Sequence, residues 1–173
     1  RNDAGYDVPE PQVVNGKDFG VPQNRERIYL VGFHISLNID KFNYPKPTNQ
    51  NVTFADVKEE NVVETKYYLS TQYLQTLVNH KARHENKGNG FGYEIIKDNQ
   101  TANAVVCGGM GRERNLVLDH RITDFTPTTK IKGQVNREGI RKMTPREWAR
   151  LQGFPDNYII PVADASAYKQ FGN

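Results

Sequence analysis

Between Met143 and Pro155 the chain reads MTPREWARLQGFP, a stretch that leaves its backbone very little choice. Thr144 is a strong N-cap residue, and Pro145 suits the first helical position, where its missing N–H is no loss. Glu147 stands three residues after Thr144 and completes a capping box, in which each side chain satisfies a backbone N–H that the helix leaves free. Gly153 and Pro155 end the helix. On it Arg146 and Arg150 share one face and Trp148 and Leu151 another, the pattern of a packed helix with a solvated stripe.

The rest of the chain is read around this anchor. YDV and PQVVN are short extended pieces, and RIYLVGF reads as a strand covered on both faces, of the kind found in mixed or parallel sheets. The Pro-rich FNYPKPTNQNVTF reads as a linker. A second helix follows, with Ser70 as N-cap, an apolar stripe of Tyr73, Leu74, Leu77 and Val78, and Gly88 as its stop. GNGFGYEII and ANAVVCGGMGRERNLVLD then read as two short strands around a glycine-rich loop, an irregular β-rich unit.

Charge is uneven along the chain. Ten Lys/Arg face five Asp/Glu between Arg112 and Arg150, against thirteen and fifteen elsewhere, so the net +3 arises in that window. Such a window favours a polyanionic partner. One cysteine excludes an internal disulfide framework and points to a reducing cytoplasm. No run approaches the roughly 18 apolar residues that span a bilayer. The chain opens on RNDAGYDV without a methionine and stops at YKQFGN, which reads as a piece of a longer polypeptide.

Several residues carry candidate chemistry. In an extended chain Gln23, Arg25 and Arg27 point to one side, and Asn24 and Glu26 to the other. A guanidinium fork suits a phosphate or a carbonyl oxygen, so this face is either an anion or carbonyl site or a solvated strand end. Arg112 and Arg114 are either a hairpin's solvated charges or a base-reading pair, since a bidentate arginine on guanine is the commonest specific contact. Asn89 and Phe91 lie in a glycine-rich loop that lets backbone approach a partner closely, or that is only a turn. His80 and His84 lack the further ligands a metal needs and read as basic surface. Lys81, Arg83 and Lys87 are candidate phosphate contacts.

QNRERIYLVGF, MTPREWARLQGFP and YKQFGN, in that order, carry a family resemblance. The chain resembles the C-terminal half of the DNA (cytosine-5) methyltransferases of the bacterial restriction-modification type. Gly16 to Phe33 look like that family's eighth motif, Arg141 to Pro155 like its ninth and Tyr168 to Asn173 like the start of its tenth. Trp148 departs from the pattern, which usually has a smaller residue there.

The resemblance implies an α/β fold. Residues 1–50 would be the C-terminal strands of a SAM-dependent, Rossmann-like catalytic domain, 51–140 a small, irregular β-rich target recognition domain, and 141–173 a helix and return to the catalytic domain. It implies methyl transfer from S-adenosylmethionine to C5 of a cytosine flipped out of double-stranded DNA. Arg27 would then stabilise charge at the cytosine O2, Arg25 would hold a phosphate or the fold, and Gln23 would position the pocket wall. Arg112, Arg114, Asn89 and Phe91 would contact DNA, Arg141 and Arg146 would lie near its backbone, and Asn173 would meet the amino-acid end of the cofactor.

The family's nucleophile follows a proline in a Pro-Cys-Gln setting, and Cys107 in AVVCGGMG does not match it. The chain is therefore expected to be inactive alone and to need the upstream half of the enzyme, in the same chain or a partner subunit, in the bacterial cytoplasm at the nucleoid. The alternative is a non-catalytic DNA-binding subunit or regulatory homologue.

Overall fold

A computed structural model describes residues 4–39, 41–48, 50–90, 92–108, 111–129 and 131–173. Phe91, expected at the DNA, lies outside the described residues. The described residues form a mixed α/β structure of small sheets and three α-helices. β1 (Tyr6–Asp7) pairs antiparallel with β5 (Phe33–His34), and β2 (Gln12–Asn15) with β4 (Glu26–Tyr29), Val14 opposite Arg27. β3 (Gln23–Asn24) runs parallel to β7 (Ala102–Asn103) and so ties the first part of the chain to its middle. β6 (Ile95–Ile96) is parallel to β8 (Leu116–Leu118), which is antiparallel to β9 (Ile140–Lys142).

The helices are α1 (Thr71–Glu85), α2 (Pro145–Leu151) and α3 (Asp164–Gly172). Local signals set the first two. Ser70 Oγ accepts from the Tyr73 N–H at the start of α1, and the backbone beyond α1 turns left-handed at Gly88. At α2 the capping box forms as its sequence predicts: Thr144 Oγ1 accepts from the Glu147 N–H, and Glu147 Oε2 accepts from the Thr144 N–H. The α1 stripe is narrower than its periodicity predicts. Leu74 and Leu77 pack with Leu69, Leu116 and Ile140, while Val78 is exposed.

The main apolar cluster draws on residues from Phe54 to Phe171, with Trp148 at its centre against Tyr168, ring centroids 5.0 Å apart. α3 closes on it very tightly. A Cβ on Gly172 would stand 2.5 Å from the backbone nitrogen of Cys107, so only glycine fits that contact.

Two expectations are corrected here. Among the described residues RIYLVGF is not covered on both faces: Ile28 is 71% exposed and Leu30 69%, and β4 is paired only with β2 in a two-stranded sheet. Arg141 does not reach towards a surface, as proximity to a DNA backbone would require. It is fully buried, donates from Nη1 and Nη2 to the two carboxylate oxygens of Glu147 at 2.8 Å each, and from Nε to Asp119 at 2.9 Å. Asp119 also receives Arg121. Burial pushes the Asp119 carboxyl up, but the hydrogen bonds from Arg121 and Arg141 outweigh it and hold the group well below the usual carboxylate range.

Candidate active site

The pocket that matters begins at Asn15. This buried amide accepts from the Lys17 N–H, capping the 3-10 turn Gly16–Phe19, and from the Arg25 N–H at 3.0 Å, and it donates to Asn24 Oδ1 at 2.6 Å. The turn is thereby fixed against the strand that follows, and alternation along β3 and β4 does the rest. Gln23, Arg25 and Arg27 all line one cavity of about 480 Å³, whose other walls are largely apolar and aromatic, Phe19, Tyr29, Phe42 and Tyr44 among them.

The three polar residues differ in what they can still do. Gln23 is spent within the fold: its Nε2 donates to the Leu151 carbonyl at 2.6 Å and its Oε1 accepts from the Val105 N–H at 2.9 Å, locking α2 and the β7 segment together. Arg25 is half-buried and donates from Nη1 to the Val105 carbonyl at 3.0 Å. Its guanidinium is held below its ordinary pKa by burial and by the charge of Arg27. Arg27 is exposed and donates from Nη1 to the Glu26 carbonyl, which leaves most of its fork free. An aromatic-walled cavity with a cation on its rim suits a flat ring bearing a carbonyl or developing anion.

Part of this wall comes from a segment that reads as a linker. Phe42 and Tyr44 meet edge to face with ring centroids 4.9 Å apart, Phe42 meets Phe33, and the Tyr44 hydroxyl donates to the Tyr29 carbonyl. Thr48 N–H donates to the Asp18 carbonyl. The segment is pinned across the hairpin, and its two aromatics are the sequence signal that could have found it.

A second constellation lies in the middle of the chain. Parallel pairing of β6 with β8 brings together the segments that follow the two glycine-rich stretches, and the Glu94 N–H donates to the Glu113 carbonyl at 3.2 Å. Arg112 and Arg114 are exposed, while Glu113 and Asn115 between and beyond them are buried. Asn89 is exposed at the end of the α1 turn, its N–H bonded to the His84 carbonyl. Lys81 sits over the Tyr93 ring. The His80 and His84 rings lie against each other at a tilt, centroids 4.4 Å apart, with no group of three metal-ligating side chains among the described residues.

Both constellations fall inside one family match. The model of the C-5 cytosine-specific DNA methylases covers residues 2–173. The chain belongs to this family. It is 75% identical over 173 residues to the Type II methyltransferase M.HpaII of Haemophilus parainfluenzae, covering all of this chain and 48% of that protein. It is 38% identical over 170 residues to M.NlaX of Neisseria lactamica, covering 98% and 49%. The chain thus spans about half the length of these relatives.

Solved structures agree at the level of fold. The Entamoeba histolytica methyltransferase EhMeth matches with a TM-score of 0.67 at 16% identity, over 99% of this chain and 50% of that one. Schizosaccharomyces pombe Dnmt2 matches with a TM-score of 0.65 at 17% identity, over 98% and 53%.

Arg146 is half-buried and clamps the loop after α2, donating to the Tyr158 carbonyl at 2.6 Å and towards that of Pro155. It serves that loop instead of a free surface. Arg150, read as part of the same solvated stripe, is drawn in likewise by Asp156 and the Val57 carbonyl. Asn173 is exposed at the end of α3, its Oδ1 accepting from the Cys107 thiol at 2.6 Å. No helix among the described residues is long and apolar enough to cross a membrane.

Proposed function

We propose that this chain forms the cytosine-pocket wall and the DNA-reading part of a DNA (cytosine-5) methyltransferase of the restriction-modification type. The observation that carries this reading is the aromatic-walled cavity lined together by Gln23, Arg25 and Arg27, in a chain that the family model covers almost end to end. The substrate is double-stranded DNA from which one cytosine is flipped. Residues 1–50 belong to the catalytic domain, 51–140 to target recognition, and 141–173 return to the catalytic domain.

In the reaction a cysteine thiolate adds to C6, electron density moves into the ring, C5 takes a methyl group, and loss of the C5 proton releases the thiolate. S-adenosylmethionine supplies that methyl as an electrophilic sulfonium. Arg27 acts where negative charge grows at O2 during attack, so it stabilises the transition state more than the ground state. Arg25 steadies the wall through Val105, and Gln23 sets the wall's position against α2. Towards the cofactor the chain offers Asn173, whose Nδ2 makes no hydrogen bond among the described residues and suits a carboxylate oxygen.

The nucleophile lies outside this chain in this reading. Cys107 is engaged with Asn173 and stands in no Pro-Cys-Gln setting. The chain alone is then inactive, and its partner is the upstream half of the enzyme. The exposed apolar surface of Ile28, Leu30, Ile35 and Leu37 supports such a partner. The enzyme works in the bacterial cytoplasm. Methyl transfer to DNA by the enzyme carrying this chain, compared with its Arg27→Ala variant, tests the assignment. A loss of at least a hundredfold is expected on removing a donor to developing charge, and equal rates would overturn the role of Arg27.

A further inference from the structure

Resting on the methylation reading, we propose that Arg114 is a base-reading residue and that Glu113 and Asn115 are the positioning residues that aim it. The four residues Arg112 to Asn115 alternate exposed, buried, exposed, buried, and the two buried ones are anchored on different elements. Glu113 is 3% exposed. Its Oε1 receives Lys142 Nζ of β9 at 3.1 Å and the Tyr73 hydroxyl of α1 at 3.1 Å. Asn115 is fully buried and imitates a strand partner for β7: its Oδ1 accepts from the Asn103 N–H at 2.8 Å, and its Nδ2 donates to the Asn103 carbonyl at 3.0 Å.

Bonds to backbone carbonyls hold the same turn. Asn103 Nδ2 donates to the Arg114 carbonyl at 3.2 Å, and Leu116 N–H to the Glu94 carbonyl at 2.8 Å. A side chain on Gly111 would collide with the Val106 carbonyl, so the approach to the turn is fixed as well. Burial pushes the Tyr73 hydroxyl up to about 12, with the Glu113 charge acting the same way, so it stays a donor.

The two arginines are not equivalent on this turn. The Arg112 guanidinium lies 5.3 Å from the centre of the Tyr168 ring and is committed to α3. The Arg114 side chain is exposed and makes no hydrogen bond or ion pair among the described residues, where only its backbone carbonyl is engaged. A rigid turn that offers one uncommitted guanidinium fork suits the paired acceptors of a guanine edge in the major groove. Holding that fork in place before DNA arrives reduces the ordering cost of binding and turns contact into discrimination.

The test uses the full methyltransferase and DNA randomised around its target, with methylated sites mapped by bisulfite sequencing. Arg114→Ala is expected to lose on the order of tenfold discrimination at one base position of the target. Arg114→Lys should lose it too while keeping the salt dependence of binding, since it retains the charge without the fork. Glu113→Gln and Tyr73→Phe should lose part of the discrimination at that same position and little elsewhere. If Glu113→Gln does not fold, Tyr73→Phe decides. Full discrimination in Arg114→Ala would overturn the reader, and unchanged selectivity in the folded positioning variants would overturn the aim. Failure of the wild-type enzyme to methylate DNA would instead overturn the methylation reading beneath both.

Discussion

Arg141 meets Glu147 fork to fork, in two hydrogen bonds of 2.8 Å, with both side chains wholly out of water. Glu147 also closes the capping box of α2 and accepts from the Glu59 N–H. One carboxylate thus joins β9, the start of α2 and the segment after Phe54. Such a pair is weak evidence of net stabilisation, but breaking it leaves a buried charge alone. Arg141→Met should therefore lower stability by about 3–5 kcal/mol, seen as a fall in the denaturant midpoint. The salt slope of DNA binding, measured on the folded variant, should stay unchanged, whereas losing a phosphate contact would lower it by about one.

Asp119 gives the joint a pH dependence. Its carboxyl is held below the ordinary range in the folded protein, so its contribution is fully present above the unfolded value of about 3.9 and is lost as pH falls towards the folded one. Asp119→Asn should be less stable than wild type at pH 7, with the gap narrowing only below about pH 4. Unfolding curves between pH 7 and pH 3 check this. A gap that narrows already between pH 7 and pH 5 would assign the effect to another group.

The capped helix is legible in the sequence because its signals are local. Thr144, Pro145 and Glu147 need only one another, and Gln23, Arg25 and Arg27 share a face because extended backbone alternates. RIYLVGF misleads for the opposite reason. An apolar run reports what could be covered, and within this chain β4 has a single partner strand among the described residues to supply that cover. Arg141 misleads because charge suggests a surface, and the carboxylates that bury it come from positions 22 residues before and six after. Phe42 and Tyr44 are hidden among prolines, where breaker residues outweigh the aromatics that join the pocket.

The bare face of β4 has a consequence in solution. Val13, Ile28 and Leu30 are each more than half exposed on one hairpin, a patch that soluble proteins rarely leave contiguous. The 173-residue chain by itself should bind a hydrophobic dye and self-associate. Ile28→Ser with Leu30→Ser should suppress both while moving its midpoint little, since neither side chain is packed. In the full enzyme the same pair should destabilise by about 3–6 kcal/mol if the face is covered there, at roughly 1.5–3 kcal/mol for each fully buried aliphatic side chain. Sedimentation velocity and thermal melts of both forms distinguish these outcomes.

Gly172 and Gly153 invite a paired experiment. Gly153 has φ +79° with open space around its missing Cβ, so Gly153→Ala costs only the left-handed strain, about 1 kcal/mol. Gly172 is different in kind. Its neighbour is the backbone of Cys107, which cannot rotate away, so Gly172→Ala must push α3 from its seat at about 1–3 kcal/mol. Asn173 follows directly and shares the hydrogen bond with the Cys107 thiol, so displacement of α3 also moves the amide assigned to the cofactor's amino-acid end. Gly172→Ala should accordingly raise the KM for S-adenosylmethionine several-fold with a smaller change in kcat, while Gly153→Ala leaves both near wild type. A KM unchanged by Gly172→Ala at equal loss of stability would detach Asn173 from cofactor binding.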